Sequence, residues 1–333
     1  MNFDNFRDLT TDFERLKFLL QFALAAPSSH NTQPWQFRIR DRTIELWGAR
    51  RRMLPASDSN HRQFFLSLGC ALENLLLAAD YYGLTPNVRM FPDPNQNLWV
   101  ATTEFPDMNP RRQTTKDHLA TKIFERHTNR YDYGTREVPE RFLASLRDLE
   151  TKELRISVVR DPAVKQEILK TVGDATEAAF HDKGFTRELS HWIKPSLKRY
   201  RDGMPGYNIG IPWPVSFLVP LAIRYLNVAK QQRQMVEGPL RSTPVFIVFS
   251  TRLDDPRAWV ETGRILERVW LMAATQGLKL GPSAAVVQIG DFYKKIQDVL
   301  GLNFRPQAFA RLGYQEKIPV ASPRLRLEEV VIK

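Results

Sequence analysis

One segment of this chain occurs twice, and that repetition constrains the fold more than any other feature. Gly69-Cys70-Ala71-Leu72-Glu73, continued by Leu77, Ala79, Gly83 and Leu84, is matched by Gly263-Arg264-Ile265-Leu266-Glu267, continued by Leu271, Ala273, Gly277 and Leu278. Seven identities fall at a constant offset of 194 positions, without a gap. Both copies carry apolar residues at helical spacing, and both end in Gly-Leu, a helix C-cap signal. Leu and Ala recur in any helix by chance. Gly, Glu and the terminal Gly-Leu are not generic core residues, so their coincidence favours an internal duplication.

Periodicity places the two copies in a mixed chain. It predicts a helix over 12–26, strands at 35–40 and 43–47, the first repeat helix over 60–82, and strands near 86–91 and 97–105. A second half begins near residue 119. Its elements are a helix over 139–150 opened by Pro139 and Glu140, a strand at 154–160, helices over 162–181, an all-apolar buried strand at 244–251, the second repeat helix over 256–277 and a late strand at 309–314. The segment 182–240 has no counterpart in the first half. It holds Trp192, Tyr200, Tyr207, Trp213 and Tyr225 among glycines and prolines. That composition suits a lid over a planar ligand and equally an irregular cap that buries its own aromatics.

Composition excludes several classes. A single cysteine, Cys70, rules out an internal disulfide and a cysteine metal cluster; on an apolar helix face it reads as a small buried hydrophobe. Glu177 and His181 share an i, i+4 spacing, but no HExxH pattern accompanies them and no metal is expected. The start of the chain does not read as a signal peptide. The longest apolar run, 211–226, is broken by three prolines and Arg224 and is too short to span a bilayer. A cytoplasmic location and no membrane partner are the expectations. The net charge of +11 attracts anions generally, but the tight clusters Arg50-Arg51-Arg52 and Arg111-Arg112 are short and lack interleaved aromatics. They read as solvated surface, and no nucleic-acid partner is expected.

Four short stretches carry chemistry. Ala26-Pro27-Ser28-Ser29-His30-Asn31-Thr32-Gln33-Pro34-Trp35 joins a helix to a strand through a turn dense in hydroxyl and amide groups. Such a turn presents donors to a ligand while the scaffold holds them still. Arg126-His127-Thr128-Asn129-Arg130 packs two arginines, a hydroxyl and an amide into five residues, the donor set a phosphate dianion needs. Gly281-Pro282-Ser283-Ala284-Ala285 follows the second repeat helix, and Ser322-Pro323-Arg324-Leu325-Arg326 precedes the C-terminal stretch. A spacing of two would set Arg324 and Arg326 on one face of a strand. No GxGxxG follows a strand, and there is no Walker loop or GxSxG elbow.

Together these stretches resemble the FMN-dependent nitroreductase family. The first is similar to its APSSxNxQPW turn, the second to its RxSxR start, the third to the loop beside the flavin N5 edge, and the fourth to its ending, whose basic residues reach the FMN phosphate. The first half carries the turn and the second half the phosphate motif, so one chain supplies one complete site. That arrangement resembles the family's Acg-type branch, in which a single chain mimics the nitroreductase dimer. The resemblance implies an α+β nitroreductase-like fold, duplicated as a pseudo-dimer, with mainly antiparallel sheets flanked by helices. The halves are 1–118 and 119–333, the second with a lid-like insertion at about 182–240. It implies an FMN-dependent oxidoreductase in which NAD(P)H docks transiently and a small electron acceptor, a nitroaromatic or quinone, takes its place. The rival implication is a protein that sequesters FMN without turnover. The cofactor residues implied are Pro27, Ser28, Ser29, Asn31 and Gln33; Arg126, His127, Thr128, Asn129 and Arg130; Pro282, Ser283 and Ala284; and Arg324 and Arg326. Arg126, Arg130 and Arg324 would hold the phosphate. Flavin carries the chemistry, so no side chain is expected as acid or base. A pseudo-dimer has its dimer interface already satisfied, and a monomer is expected.

Overall fold

The computed structural model describes residues 3–109, 118–317 and 320–332; the Arg111-Arg112 cluster lies outside these. The first half runs α1 (Asp12–Leu24), β1 (Trp35–Arg40), β2 (Thr43–Gly48), α2 (Arg62–Tyr81), β3 (Asn87–Met90) and β4 (Trp99–Glu104). The second runs α3 (Glu140–Ser145), β5 (Leu154–Val159), α4 (Pro162–His181), α5 (Lys183–Trp192), β6 (Ile193–Lys194), β7 (Met204–Pro205), α6 (Val219–Tyr225), α7 (Ala229–Arg241), β8 (Val245–Thr251), α8 (Pro256–Thr275), β9 (Leu278–Pro282), α9 (Ala285–Gln288), α10 (Phe292–Leu300), β10 (Arg305–Tyr314) and α11 (Leu327–Val330). Helix starts follow capping chemistry. Thr11 and Glu14 form a reciprocal capping box on α1, and Asp161 and Asp255 cap α4 and α8 ahead of a proline in the first turn.

Duplication is written in the topology. One four-stranded antiparallel sheet has the order β1-β2-β4-β3, and the other has β5-β8-β10-β9. In each, two strands precede a twenty-residue repeat helix and two follow it. The repeat helices α2 and α8 pack directly on each other. A Cβ on Gly69 would lie 2.1 Å from the carbonyl oxygen of Val260, and one on Gly263 would lie 2.0 Å from that of Leu66. Each glycine therefore meets the carbonyl three residues before the other, a reciprocal contact expected of a two-fold axis through the crossing. Gly83 and Gly277, equivalent in the repeat, close the helices at φ +70° and +73°.

The halves diverge in what joins their first two strands. A two-residue turn links β1 to β2, whereas everything from α4 to α7 lies between β5 and β8. Sheet two is thereby covered on both sides. Ile247, Phe249 and Ala310 face the main core shared with α1, α2 and α8, while Phe246, Val248 and Phe309 face α4, α9 and α10. Burial on both faces is why β8 reads as an unbroken apolar run. Helix α2 is long and apolar enough to cross a membrane, but most of it is buried inside the protein.

Three expectations are corrected. The 182–240 segment is substantially helical (α5, α6, α7). Trp213 and Tyr225, expected to cover a ligand or bury themselves, point to solvent. Strand β9 and helices α9 and α10 were not read from periodicity. The stretch carrying Arg324 and Arg326 is not a strand: it is irregular and runs into the single-turn helix α11, after which Val331 forms a parallel bridge with Phe37 of β1. Arg324 is consequently half-buried, while Arg326 is exposed and stands at the N-cap of α11.

Candidate active site

The turn after α1 is locally strained. His30, Asn31 and Gln33 have φ values of +50°, +54° and +51°, a region that residues with a Cβ occupy at a cost of about 1–3 kcal/mol each. Surrounding hydrogen bonds hold it there. Gln33 N–H donates to Ser28 Oγ (2.9 Å), and Asn31 Nδ2 donates to the carbonyls of Gly203 and Pro323 (both 3.0 Å). Gln33 Nε2 donates to the Arg201 carbonyl (2.8 Å), while Leu325 N–H donates to Gln33 Oε1 (2.8 Å). Asn31 and Gln33 are thus framework, tying the turn to the insertion and to the C-terminal segment. Pro27, Ser28, Ser29 and His30 are left facing a cavity of about 590 Å³.

The other motifs arrive at the same cavity from the second half. Asn129 N–H donates to the Leu280 carbonyl (3.0 Å), which lays the 126–130 segment along the free edge of β9. Thr128 and Arg130 then line the cavity, and Pro282, Ser283 and Ala284 line it where β9 ends. Leu66 and Cys70 of α2 and Leu266 and Trp270 of α8 contribute an apolar wall. Phe185, Ile193, Met204, Ile209 and Ile223 of the insertion supply another.

Not every motif residue reaches the cavity. Arg126 lies outside its lining, with its guanidinium 4.4 Å from the ring centroid of Trp270. There it pairs with the fully buried Glu267 at 3.1 Å and donates to the Ala25 carbonyl (3.1 Å). Arg324 donates to that same carbonyl (2.9 Å) and to Asn31 Oδ1 (3.1 Å). Burial holds the Arg324 guanidinium down to about 9, with Arg126 adding to the effect, and burial raises the Glu267 carboxyl to about 7 against the pull of Arg126. Two of the three arginines expected on a phosphate are therefore engaged with a buried carboxylate and backbone. His127 does not line the cavity either; burial, then Arg126, Lys279 and Arg324, lower it to about 4, so it is neutral at pH 7. Asn129 is buried, its side chain closing a turn with Tyr131.

Arg130 has no hydrogen-bond or carboxylate partner among the described residues, and burial lowers its pKa. Beside it stands Arg311 of β10, absent from the residues implied by sequence. Its Nη2 donates to the Asn129 carbonyl (2.9 Å), whereas its Nη1 is buried and unpaired. Burial lowers its pKa too. A cation inside the apolar run from Ala308 to Gly313 is itself an anomaly legible in the sequence. His30 is the other residue that was passed over. Its Nδ1 is buried without a partner, and burial outweighs the opposing charge of Glu188 to push it down to about 4. The site thus offers two underused guanidiniums, the hydroxyls of Ser28, Ser29, Thr128 and Ser283, and a neutral imidazole around an apolar slot. Among the described residues no group of His, Cys, Asp and Glu could hold a metal ion.

Sequence relatives align with this chain over nearly its whole length. The chain is 29% identical over 331 residues to a Mycobacterium tuberculosis protein that carries the name NAD(P)H nitroreductase acg, covering 97% of this chain and 96% of the relative. It is 23% identical over 345 residues to one named NAD(P)H nitroreductase PigM from a Serratia species, covering 96% and 93%. Among solved structures, the FMN and NADPH-dependent nitroreductase NfnB from a Sphigopyxis strain superimposes at a TM-score of 0.43 and 17% identity, over 65% of this chain and 98% of that one. No protein-family model matches.

Proposed function

We propose, from full-length similarity to proteins named NAD(P)H nitroreductases, that this chain is an FMN-binding oxidoreductase acting on a small electrophilic acceptor such as a nitroaromatic or quinone. The observation that carries the reading is convergence. Three stretches from opposite halves of the sequence meet at one cavity, and Arg130 enters it with no hydrogen-bond or carboxylate partner among the described residues. The residues fit FMN. A volume of about 590 Å³ lies within the range that holds a cofactor-sized ligand. Arg311 is buried with one unpaired donor and Arg130 is half-buried; a buried guanidinium with a free donor is costly unless an anion satisfies it, and a phosphate does so through paired charge-assisted hydrogen bonds.

Bound FMN supplies two-electron transfer between a nicotinamide and the acceptor. The chain's own part is binding, orientation and exclusion of water. Arg130 and Arg311 hold the anionic group, with Arg126 and Arg324 positioning the Ala25–Gln33 turn from behind. Ser28, Ser29 and Thr128 offer hydroxyls to the polar body of the ligand, and Pro282–Ala284 bring backbone close to its edge. Leu66, Leu266 and Trp270 keep the slot dry, which strengthens every polar contact inside it. His30, neutral at working pH, adds a hydrogen-bonding nitrogen without a charge. We assign no acid or base side chain. In this reading the two halves act as pseudo-subunits packed through α2 and α8, the site lies between them, and the protein works as a monomer.

The visible spectrum of the purified protein before and after anaerobic NADPH tests this. Flavin bands that bleach are the expected result. Bands that persist would instead support sequestration of FMN without turnover. A colourless protein that cannot be reconstituted with FMN would refute the reading.

A further inference from the structure

The insertion carries an outer surface that the redox reading does not use. Val219 and Ile223 of α6 face inward, lining the cavity and packing with Phe185 and Met204. The opposite side is also apolar. Trp213, Phe217, Leu218, Leu221, Tyr225 and Leu226 are all exposed, Trp213 by 59%, Leu218 by 64% and Tyr225 by 67%. Their spacing puts Leu218, Leu221 and Tyr225 on one helical stripe, and the Trp213 ring packs edge-on against Phe217 at 5.6 Å. A helix apolar on both sides is normally buried on both. Here one side has no cover among the described residues, and such a contiguous patch marks an interaction surface.

Charge identifies the occupant. Between Ser190 and Val236 the chain has seven Lys and Arg and one acid, Asp202, which Arg52 neutralises at 3.0 Å. Lys198, Arg199, Arg224 and Lys230 are exposed, and the first three have no carboxylate partner among the described residues, Lys230 lying near enough to Glu177 to act on its charge. The 196–199 stretch is fastened to the patch, because Ser196 N–H donates to Ser216 Oγ (2.9 Å). The patch is therefore an aromatic and aliphatic strip rimmed by exposed cations. A second copy would bring like charge against like on a chain of net charge +11.

We infer that this face docks in the plane of an anionic lipid bilayer, with Trp213, Leu218, Leu221 and Tyr225 entering the interface and the flanking cations reaching headgroup phosphates. Such binding needs no spanning segment, so the length criterion that argued against a membrane partner does not bear on it. It places the cavity, whose wall is the inner side of the same helix, next to the bilayer. The inference stands whether or not the cavity binds flavin.

Flotation of the full chain with phosphatidylglycerol–phosphatidylcholine vesicles, against vesicles of phosphatidylcholine alone, tests it. Binding to the anionic vesicles is expected, weakened severalfold by 0.5 M salt (a value of about half molar, well past the point where surface charges are screened). L218E/L221E, on exposed positions outside the cavity, should keep its thermal transition and lose more than tenfold in vesicle affinity. R224E/K230E should lose binding to anionic vesicles selectively. Absence of wild-type binding, equal binding by L218E/L221E, or a dimer in sedimentation that L218E/L221E dissolves would each overturn the proposal.

Discussion

Alanine at Gly69 or Gly263 should weaken the protein through the crossing of α2 and α8. The new Cβ would lie 2.1 Å from the Val260 carbonyl in one case and 2.0 Å from the Leu66 carbonyl in the other, against 3.4 Å for ordinary contact. Backbone oxygen cannot swing aside as a flexible side chain can, so the helices must separate by more than an ångström at the crossing. Overpacking of one methyl costs about 1–3 kcal/mol, and this contact belongs at the upper end. Alanine returns about 0.5–1 kcal/mol in helix propensity. The net is a loss of about 1–2 kcal/mol, a fall of about 1.5–3 °C in Tm for a chain of this size. Each single substitution should cost nearly the same, because the contact is reciprocal. The double variant should fall short of the sum by about 0.5 kcal/mol or more, since helices already apart relieve both clashes. Differential scanning fluorimetry with equilibrium unfolding measures all three. Leu66, Cys70, Leu266 and Trp270 ride on these helices into the cavity wall, so FMN affinity should fall in parallel. A higher Tm in either single variant, or strict additivity in the double, would refute the reasoning.

Three further outcomes follow from the site. R130A and R311A should each weaken FMN binding by about 10- to 150-fold in a flavin fluorescence titration, the equivalent of one charge-assisted hydrogen bond set at about 1.5–3 kcal/mol; unchanged affinity in both would remove them from the anion site. R126A should cost about 3–5 kcal/mol of stability by stranding Glu267, and R126A/E267Q should recover a good part of it; an R126A protein as stable as its parent but devoid of flavin would move Arg126 to the ligand. Because His30 sits at about 4 when folded and near 6.5 when unfolded, the unfolded chain takes up its proton first as the solution is acidified. Stability is whole above about pH 6.5 and declines by up to about 3 kcal/mol toward pH 4. Urea unfolding at several pH values should show a shallower acid limb for H30Q, and identical limbs would count against it.

Much of this protein was legible without coordinates. The two repeat helices, the strands of both sheets apart from β9, and the Ala26–Trp35 turn follow from patterns that are local: apolar spacing, caps, and Gly, Pro and Asn in turns. The duplication was visible because Gly69 and Gly263 answer a steric demand that no other residue meets. The sequence also brought forward Ser28, Ser29, Thr128, Arg130 and Pro282–Ala284, which the fold assembles at one cavity. Tertiary structure alone decided which arginines are free. Arg126 and Arg130 look alike in a five-residue motif, yet Glu267, 141 positions away from Arg126, captures one and leaves the other facing the cavity. Arg311 was hidden in an apolar run for the same reason. Its value depends on the unpaired space in front of it, and not on its neighbours in the chain. The C-terminal arginines were misread because a period of two fits an irregular extended segment as well as a strand, and only pairing partners tell them apart. Whether an apolar stripe such as 213–226 is covered or bare is likewise a question of what packs against it, which local sequence does not encode.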